Sequence, residues 1–152
     1  MGNHRKLSAS CIVIKDDKVL LVKHTYGAAK GKYLIPGGFS EEGEMPQTTA
    51  EREVLEETGV TVKAGPLAAV RFTTLEVWCI FLADYVGGEP ASDNFENEDA
   101  VFMSIEEVLA SRLVVETTRE LIKTVLGTEK STLKLSDYVN PKFEDGTWQL
   151  FL

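Results

Sequence analysis

Three glutamates, Glu53, Glu56 and Glu57, fall within five positions of a stretch of good helix formers that ends at Gly59. Residues three and four positions apart share one face of a helix, so we expect the three carboxylates to lie together. Like charges placed in this way repel one another by roughly a few tenths of a kcal/mol per pair on an open surface. A divalent cation would offset the repulsion, because Mg²⁺ prefers oxygen ligands and often bridges to a substrate phosphate. An ordinary solvated acidic face is the alternative that the three glutamates alone leave open.

The residues around these glutamates have a fixed spacing. Gly38 is followed after five residues by Glu44, and after seven more by the run Arg52-Glu53-Val54-Leu55-Glu56-Glu57-Thr58-Gly59-Val60. This pattern, over residues 38–60, resembles the box of the Nudix hydrolase family at every position. The resemblance implies an α/β (α+β) fold, a Nudix-like α/β/α sandwich with a mixed β-sheet and the loop and helix of the box against it. It also implies metal-dependent hydrolysis of a phosphoanhydride bond in a nucleoside diphosphate linked to another moiety.

The composition describes an acidic chain of ordinary hydrophobicity. Its 152 residues suit a single domain, and 43% of them are hydrophobic. The net charge of −8 disfavours a nucleic-acid polymer as partner, because binding a phosphate backbone needs a basic surface. The same charge makes a polyphosphate substrate depend on accompanying cations, which predicts Mg²⁺, with Mn²⁺ as the alternative. The predicted partner is therefore a small nucleotide.

The sequence also bears on location. No apolar run approaches the length of a membrane span, and no apolar stretch of signal-peptide type follows the basic residues at positions 4–6. We therefore expect a cytoplasmic protein that does not bind membranes. Cys11 and Cys79 each lie in an apolar, strand-like run and are expected to be buried free thiols.

The order of the patterns predicts the elements that position the box. Residues 8–14 and 18–24 predict a β-hairpin, and residues 75–85 predict a central strand, since both alternating sets of side chains are apolar. The other predicted elements are the box helix at 48–58, strands at 60–63, 67–72 and 100–103, a helix after Ser104 with a capping box to Glu107, and a packing helix at 116–126. Residues 1–127 are assigned to one Nudix hydrolase domain. Residues 128–152 are assigned to a C-terminal extension that packs on the same domain or on the partner subunit of a homodimer.

The flanks of the box resemble the family as well, beginning with the run Tyr33-Leu34-Ile35-Pro36-Gly37-Gly38. The resemblance places Lys23 and His24 where a strand approaches the substrate phosphates, with an ordinary polar strand end as the alternative. It places the Gly38 carbonyl as an additional metal ligand. Residues 75–78 carry neither the proline nor the tyrosine that marks the substrate in some subfamilies, so no substrate is predicted.

Aromatic and acidic residues outside the box supply further candidates. Three aromatic residues are candidates to stack on a nucleobase, with core packing as the alternative for each: Tyr26, Phe72 and Trp78. Family enzymes commonly place an acid near the metal in the loop that corresponds to residues 87–99. We assign that role to Glu98, followed by Glu96 and Asp99, with a solvated acidic loop as the alternative.

The implied reaction is attack by water on a phosphorus of a diphosphate linkage. The predicted metal ligands are Gly38, Glu53, Glu56, Glu57 and Glu98. One carboxylate must accept the proton of the water, and the candidates are Glu53, then Glu56, then Glu98. Arg52 is expected to orient a glutamate and Glu44 to hold the loop at the start of the helix.

Two readings other than a hydrolase stay open at the level of sequence. A nucleotide-sensing module could use the same fold without turnover, although such members usually have damaged boxes and this box is intact. An interaction domain with an acidic surface and no site is the other. Turnover with magnesium, and its loss with a chelator, separates the hydrolase from both.

Overall fold

The computed structural model describes residues 4–127, 137–143 and 148–152. In chain order the elements are β1 (Lys6–Lys15), β2 (Lys18–His24), β3 (Tyr33–Leu34), β4 (Gly37–Phe39), α1 (Pro46–Thr58), β5 (Thr61–Thr73), β6 (Glu76–Gly87), β7 (Asn97–Ser104), α2 (Ile105–Ala110), α3 (Glu116–Leu126) and β8 (Trp148–Phe151). None of the described helices has the length and apolar character needed to cross a bilayer.

Strand β1 lies at the centre of a mixed sheet. The strand order is β3-β2-β1-β6-β5-β8, with β4 added to β1 and β7 added to β2. β1 runs antiparallel to β2 and β4 but parallel to β6. The turn between β1 and β2 uses Asp16 and Asp17 at φ values of 50° and 58°, the left-handed pair that a two-residue hairpin requires. The predicted hairpin and the mixed sheet are confirmed.

Two hydrophobic clusters cover the two faces of this sheet. Alternation along β1 sends Ile12 to one cluster, and Cys11 and Val13 to the other. The first cluster includes Val108 from α2 and residues 121–122 from α3. The second includes Ala50 and Val54 from α1, with Val60, Val62 and Phe81. The predicted α/β/α layering, with the box helix packed on the sheet, is therefore confirmed.

Two elements differ from the pattern expected. Helix α1 begins at Pro46, whose missing N–H costs nothing in a first turn. The break expected at residues 65–66 is a bulge within one long strand, since the β5–β6 register shifts between Ala64 and Leu67. Strand β8 pairs antiparallel with β5 of the same chain. The rest of the predicted extension, residues 128–136 and 144–147, lies outside the described residues.

Two glycines beside the box should differ in their response to alanine. A Cβ at Gly37 would lie 2.5 Å from the Ala9 carbonyl oxygen, so backbone must move, whereas at Gly59 (φ 71°) the nearest atom is 3.7 Å away. We expect Gly37→Ala to lower the free energy of unfolding by about 3 kcal/mol and Gly59→Ala by about 1 kcal/mol, from its left-handed backbone alone. Urea unfolding measures both. An equal loss in the two variants would contradict the tight β1–β4 contact.

Candidate active site

Helix α1 places a carboxylate on the face that packs against the sheet. Ala50 and Val54 are fully buried on this face, and Glu57 continues the same stripe one turn later. The helix ends at Gly59, whose N–H bonds to the Leu55 carbonyl oxygen at 2.9 Å in a left-handed cap. The packing that holds Val54 in the core therefore also fixes the position of Glu57.

The Glu57 carboxyl group is buried without a positive partner in the described part of the chain. The residue is 3% exposed, and its Oε2 atom accepts no hydrogen bond from any described residue. Burial, followed by the charges of Glu53 and Glu96, raises the pKa of Glu57 to about 9, although the backbone N–H of Gly37 opposes the shift. An ionised carboxylate in such a place is unfavourable unless positive charge joins it. The group therefore fits a bound cation.

Glu53 lies against the glycine turn that precedes α1. A Cβ at Gly38 would lie 2.5 Å from the Glu53 carboxyl carbon, so glycine leaves room for this side chain in its observed position. The Glu53 side chain is 14% exposed. Burial raises the pKa of Glu53, and the neighbouring Arg52 opposes that shift. The structure thus brings Gly38, Glu53 and Glu57, three of the predicted metal ligands, to one place.

Arg52 holds the other carboxylates of the box. Its Nε donates to Glu44 at 2.8 Å, and its Nη1 donates to Glu53 at 2.9 Å and to Glu56 at 3.0 Å. Its Nη2 donates to the Phe39 carbonyl oxygen at 3.1 Å, which ties the helix to β4. The guanidinium and a neighbouring threonine hydroxyl lower the pKa of Glu44 to about 2. Arg52 and Glu44 therefore make the positioning contacts that the sequence predicts for them.

The loop before β7 presents a different acid to the cleft from the one predicted. Glu96 lines the cleft together with the helix glutamates. Glu98 is not among the lining residues and pairs with Lys23 at 2.9 Å, with 51% of its side chain exposed. Asp99 accepts a hydrogen bond from the Tyr33 hydroxyl. The structure therefore brings Glu96, and not Glu98 or Asp99, to the other carboxylates.

A β-bulge accounts for the position of Glu98. In the pairing of β2 with β7, Lys23 lies opposite Asp99 and His24 lies opposite Asn97, which leaves Glu98 as the extra residue. An extra residue interrupts the alternation of side chains along the strand. Glu98, the residue in the bulge, pairs with Lys23 outside the cleft, whereas Glu96 precedes the strand and lines the cleft.

The predicted substrate residues divide into two groups. His24 and Trp78 line the cleft, as does Tyr26, whose ring stacks on that of His24 with centroids 5.3 Å apart. Lys23 and Phe72 are not among the lining residues. Burial lowers the pKa of His24, against the opposing charges of nearby acids. His24 therefore offers an aromatic surface and a neutral ring more readily than a positive charge.

The cleft also contains polar residues that the sequence did not single out. Ser8 and Ser10 on β1, Arg71 on β5 and Glu76 on β6 form its wall on the sheet. A signal was present for the two serines, because they alternate with buried apolar residues and so lie on one face of the strand. Arg71 and Glu76 carried no comparable signal, because their positions in the cleft depend on which strands pair with each other.

The cleft has a volume of about 630 Å³, within the usual range for small-molecule sites. Within the described ranges, no three carboxylate, imidazole or thiol groups already stand at metal-coordinating separations. Arg52 instead holds Glu53 and Glu56 through one nitrogen. These bonds engage Glu53 Oε1 and Glu56 Oε2, so one oxygen of each carboxylate is left to face a cation beside Glu57 while Arg52 keeps its contacts. The donors are all oxygen atoms, the type that Mg²⁺ and Mn²⁺ accept.

Comparison with known proteins decides the family. The sequence profile described as the NUDIX domain matches residues 4–125. The chain belongs to the Nudix family. This confirms the family predicted from the box.

Relatives of this Nudix domain carry different names. It is 33% identical over 130 residues to an NAD-capped RNA hydrolase, NudC, of Photobacterium profundum, a match that covers 74% of this chain and 47% of that protein. It is 34% identical over 92 residues to an ADP-ribose pyrophosphatase of Methanocaldococcus jannaschii, covering 57% of this chain and 54% of that protein. The chain thus spans about half the length of these curated relatives. A NUDIX hydrolase structure from Nitrosomonas europaea superposes with a TM-score of 0.68 at 26% identity, covering 79% of this chain and 69% of that one.

Burial of Glu57 should make stability depend on pH in metal-free buffer. Its pKa is about 9 in the folded chain against an ordinary 4.5, so between these values the folded state keeps a proton that the unfolded state has lost. The free energy of unfolding should therefore fall as pH rises through this window, by up to about 1.4 kcal/mol per pH unit. Glu57→Gln should remove that part of the slope and be more stable than wild type at pH 8. Urea unfolding in the presence of chelator, from pH 5 to 8.5, measures the free energy of unfolding of both proteins.

Glu56→Gln is the matched control, because the Glu56 side chain is 57% exposed on the same helix. This variant should keep the pH slope of the wild type. Parallel stability curves for wild type and Glu57→Gln would mean that the carboxyl is not held in the buried position.

Proposed function

We propose that the chain is a metal-dependent hydrolase that cleaves a phosphoanhydride bond in a nucleoside diphosphate linked to another moiety. The observation that carries the proposal is the Glu57 carboxyl, which is 3% exposed and has an oxygen without a partner among the described residues. Glu53 and Glu96 raise its pKa further and lie in the same cleft. Carboxylates clustered in this way destabilise the protein on its own, and a bound cation with its phosphate ligand would relieve that cost.

Oxygen atoms around Glu57 would hold the metal. The proposed ligands are Glu57, Glu53 and Glu56, with the Gly38 carbonyl by resemblance to the family and with Glu96 in the role first assigned to Glu98. Mg²⁺ is the proposed ion, with Mn²⁺ as the alternative. When bound, such an ion neutralises phosphate oxygens and lowers the pKa of an attacking water.

Glu53 is the proposed general base. It is largely buried, and its pKa is raised, so it holds a proton more readily than an exposed glutamate. The oxygen of water forms a bond to phosphorus, its proton passes to the Glu53 carboxylate, and the bond from phosphorus to the bridging oxygen breaks. Arg52 positions Glu53 through the bond at 2.9 Å and shares the same nitrogen with Glu56. Glu56 is the second candidate base.

A small nucleotide is the proposed substrate. Two relatives are named for NAD-capped RNA and for ADP-ribose, and each of these compounds contains a diphosphate next to a nucleoside. The net charge of −8 favours a small substrate that brings its own cations over a nucleic-acid polymer. His24 and Trp78 line the cleft and are proposed substrate contacts, whereas Lys23 is held by Glu98.

We further propose that residues 1–127 carry this activity and that residues 128–152 pack on the same domain. The pairing of β8 with β5 supports the second point. A homodimer in which the extension contacts a partner is the alternative. The cytoplasm is the proposed location, because Cys11 and Cys79 are free thiols and a reducing compartment keeps thiols free.

One observation favours a second candidate function. Arg52 already satisfies Glu53 and Glu56 without a cation, as it would in a module that binds nucleotides but does not hydrolyse them. Such a module would be stabilised against heat by a nucleotide and would release no product.

Turnover should depend on metal and on Glu57. Wild type is incubated with ATP, dinucleoside polyphosphates, NADH, ADP-ribose and oxidised dGTP, with Mg²⁺ and then with chelator, and the release of phosphate or nucleotide is measured. We expect turnover with Mg²⁺ only, and at least a ~100-fold loss of kcat in Glu57→Gln with a retained fold, because a ligand carboxylate is lost. Near-normal turnover by Glu57→Gln would remove Glu57 from the metal site. Thermal stabilisation without product would favour the sensing module.

The two loop acids should differ in importance. Glu96 lines the cleft and Glu98 is paired with Lys23 outside it. We expect Glu96→Gln to lower kcat at least ~10-fold and to raise the Mg²⁺ concentration needed for half-maximal rate, because an oxygen ligand is weakened. Glu98→Gln should stay within about twofold of wild type, since an exposed ion pair contributes little. The opposite ranking would restore Glu98 as the loop ligand.

A further inference from the structure

A second charged group lies in the cleft, on the wall made by the sheet. The Arg71 Nη2 donates to Glu76 Oε2 at 2.7 Å, and the Ser8 hydroxyl donates to the other oxygen of Glu76. The Arg71 guanidinium also lies over the ring of Trp78, 4.6 Å from its centroid. The indole N–H of Trp78 in turn donates to the Ser10 hydroxyl oxygen at 2.9 Å. These five side chains therefore form one continuous series of contacts that fixes their orientations.

This group keeps hydrogen-bonding capacity that the described protein does not use. The side chains of Arg71 and Glu76 are 19% and 25% exposed. The Nε of Arg71 is buried and has no hydrogen-bond partner among the described residues. An unpaired buried N–H is unfavourable. A ligand acceptor can meet the exposed part of the Arg71 guanidinium, and the carboxylate of Glu76 can accept more than the two bonds it receives.

The Arg71–Trp78 stack lies where two cavities meet. The cleft and a second cavity of about 280 Å³ share Leu34, Arg71 and Trp78 in their linings. The second cavity is further walled by residues 115–118 at the start of α3 and by residues 140–143. A nucleotide with its diphosphate at the glutamates can therefore place its base, beyond the ribose, against this stack.

We propose that Arg71 and Glu76 select the nucleobase of the substrate by hydrogen bonding to the edge of its planar, uncharged ring. This rests on the proposed hydrolase function. Arg71 donates to an acceptor on the ring, Glu76 accepts from a neighbouring donor, and the indole of Trp78 with Leu34 offers apolar surface to the ring.

The charges of the pair favour a neutral ring over a phosphate group. Arg71 and Glu76 cancel each other, so the pair carries no net charge to attract an anion. A phosphate at Arg71 would also meet the Glu76 carboxylate beside it, and like charges at short range repel. A ring edge with one acceptor and one donor next to each other matches both partners at once.

The test compares substrates that differ only in the base. kcat and KM are measured for ATP, GTP, CTP and UTP with wild type, Arg71→Gln and Glu76→Gln. Both variants should lower kcat/KM for the preferred base about 10- to 100-fold, mainly through KM, and change the least favoured base less than about threefold. Lys63→Met is the matched control, since Lys63 is also on β5 and paired with a glutamate but is 75% exposed. It should leave the base preference unchanged.

Several results would overturn the selection role. An equal loss for all four bases would assign Arg71 and Glu76 a structural role only. Weaker inhibition by inorganic pyrophosphate in Arg71→Gln, in proportion to the loss of kcat/KM, would show that Arg71 holds phosphate. If Arg71→Gln melts well below wild type, the base preference of Glu76→Gln is the deciding measurement, because that substitution keeps the size of the side chain.

A separate measurement distinguishes failure of this inference from failure of the hydrolase proposal. Calorimetry follows binding of adenosine, guanosine, cytidine and uridine to wild type and to Arg71→Gln. Unequal binding that disappears in Arg71→Gln supports the subsite even if no nucleotide is hydrolysed. Hydrolysis in wild type with an unchanged base preference in both variants overturns the subsite and leaves the hydrolase standing. If the wild type neither hydrolyses a nucleotide nor binds a nucleoside, both proposals are overturned.

Discussion

The site depends on a carboxylate placed where a helix would ordinarily bury an apolar side chain. Glu57 continues the stripe of Ala50 and Val54 on α1, and packing rather than solvation decides where it lies. Burial makes its charge unfavourable, and Glu53 and Glu96 make it more so. The fold thus stores an unfavourable arrangement that positive charge relieves. Functional sites commonly break local rules of stability in this way.

The part of the site closest to the box was the most predictable from sequence. The spacing of Glu53 and Glu57 fixes their shared face through helix geometry alone, and the contact of Arg52 with Glu56 follows from the i, i+4 relation. The loop acids could not be ranked in the same way. The position of Glu98 depends on a bulge between β2 and β7, and a shift of one residue moves a side chain to the other face of a strand. Glu98, the acid that was expected near the metal, pairs with Lys23 outside the cleft.

The sheet wall was less predictable because its contacts are distant in sequence. The parallel register of β1 with β6 places Ser8 beside Trp78, and the antiparallel register of β5 with β6 places Arg71 opposite Trp78. Neither register follows from the composition of a single strand. The sequence predicted that residues 75–85 form a central strand, and this is what the structure shows. It did not indicate which residue of β5 would meet the indole.

The position of β8 has a consequence for solubility. β5 is thirteen residues long, and β6 occupies one of its edges. On the opposite edge, β8 pairs with residues 70–73, the segment that carries Arg71. An uncovered edge strand is a template for association between molecules. β8 becomes the outer strand at this segment, but it is only four residues long, and a very short edge strand is a poor template for pairing with another molecule.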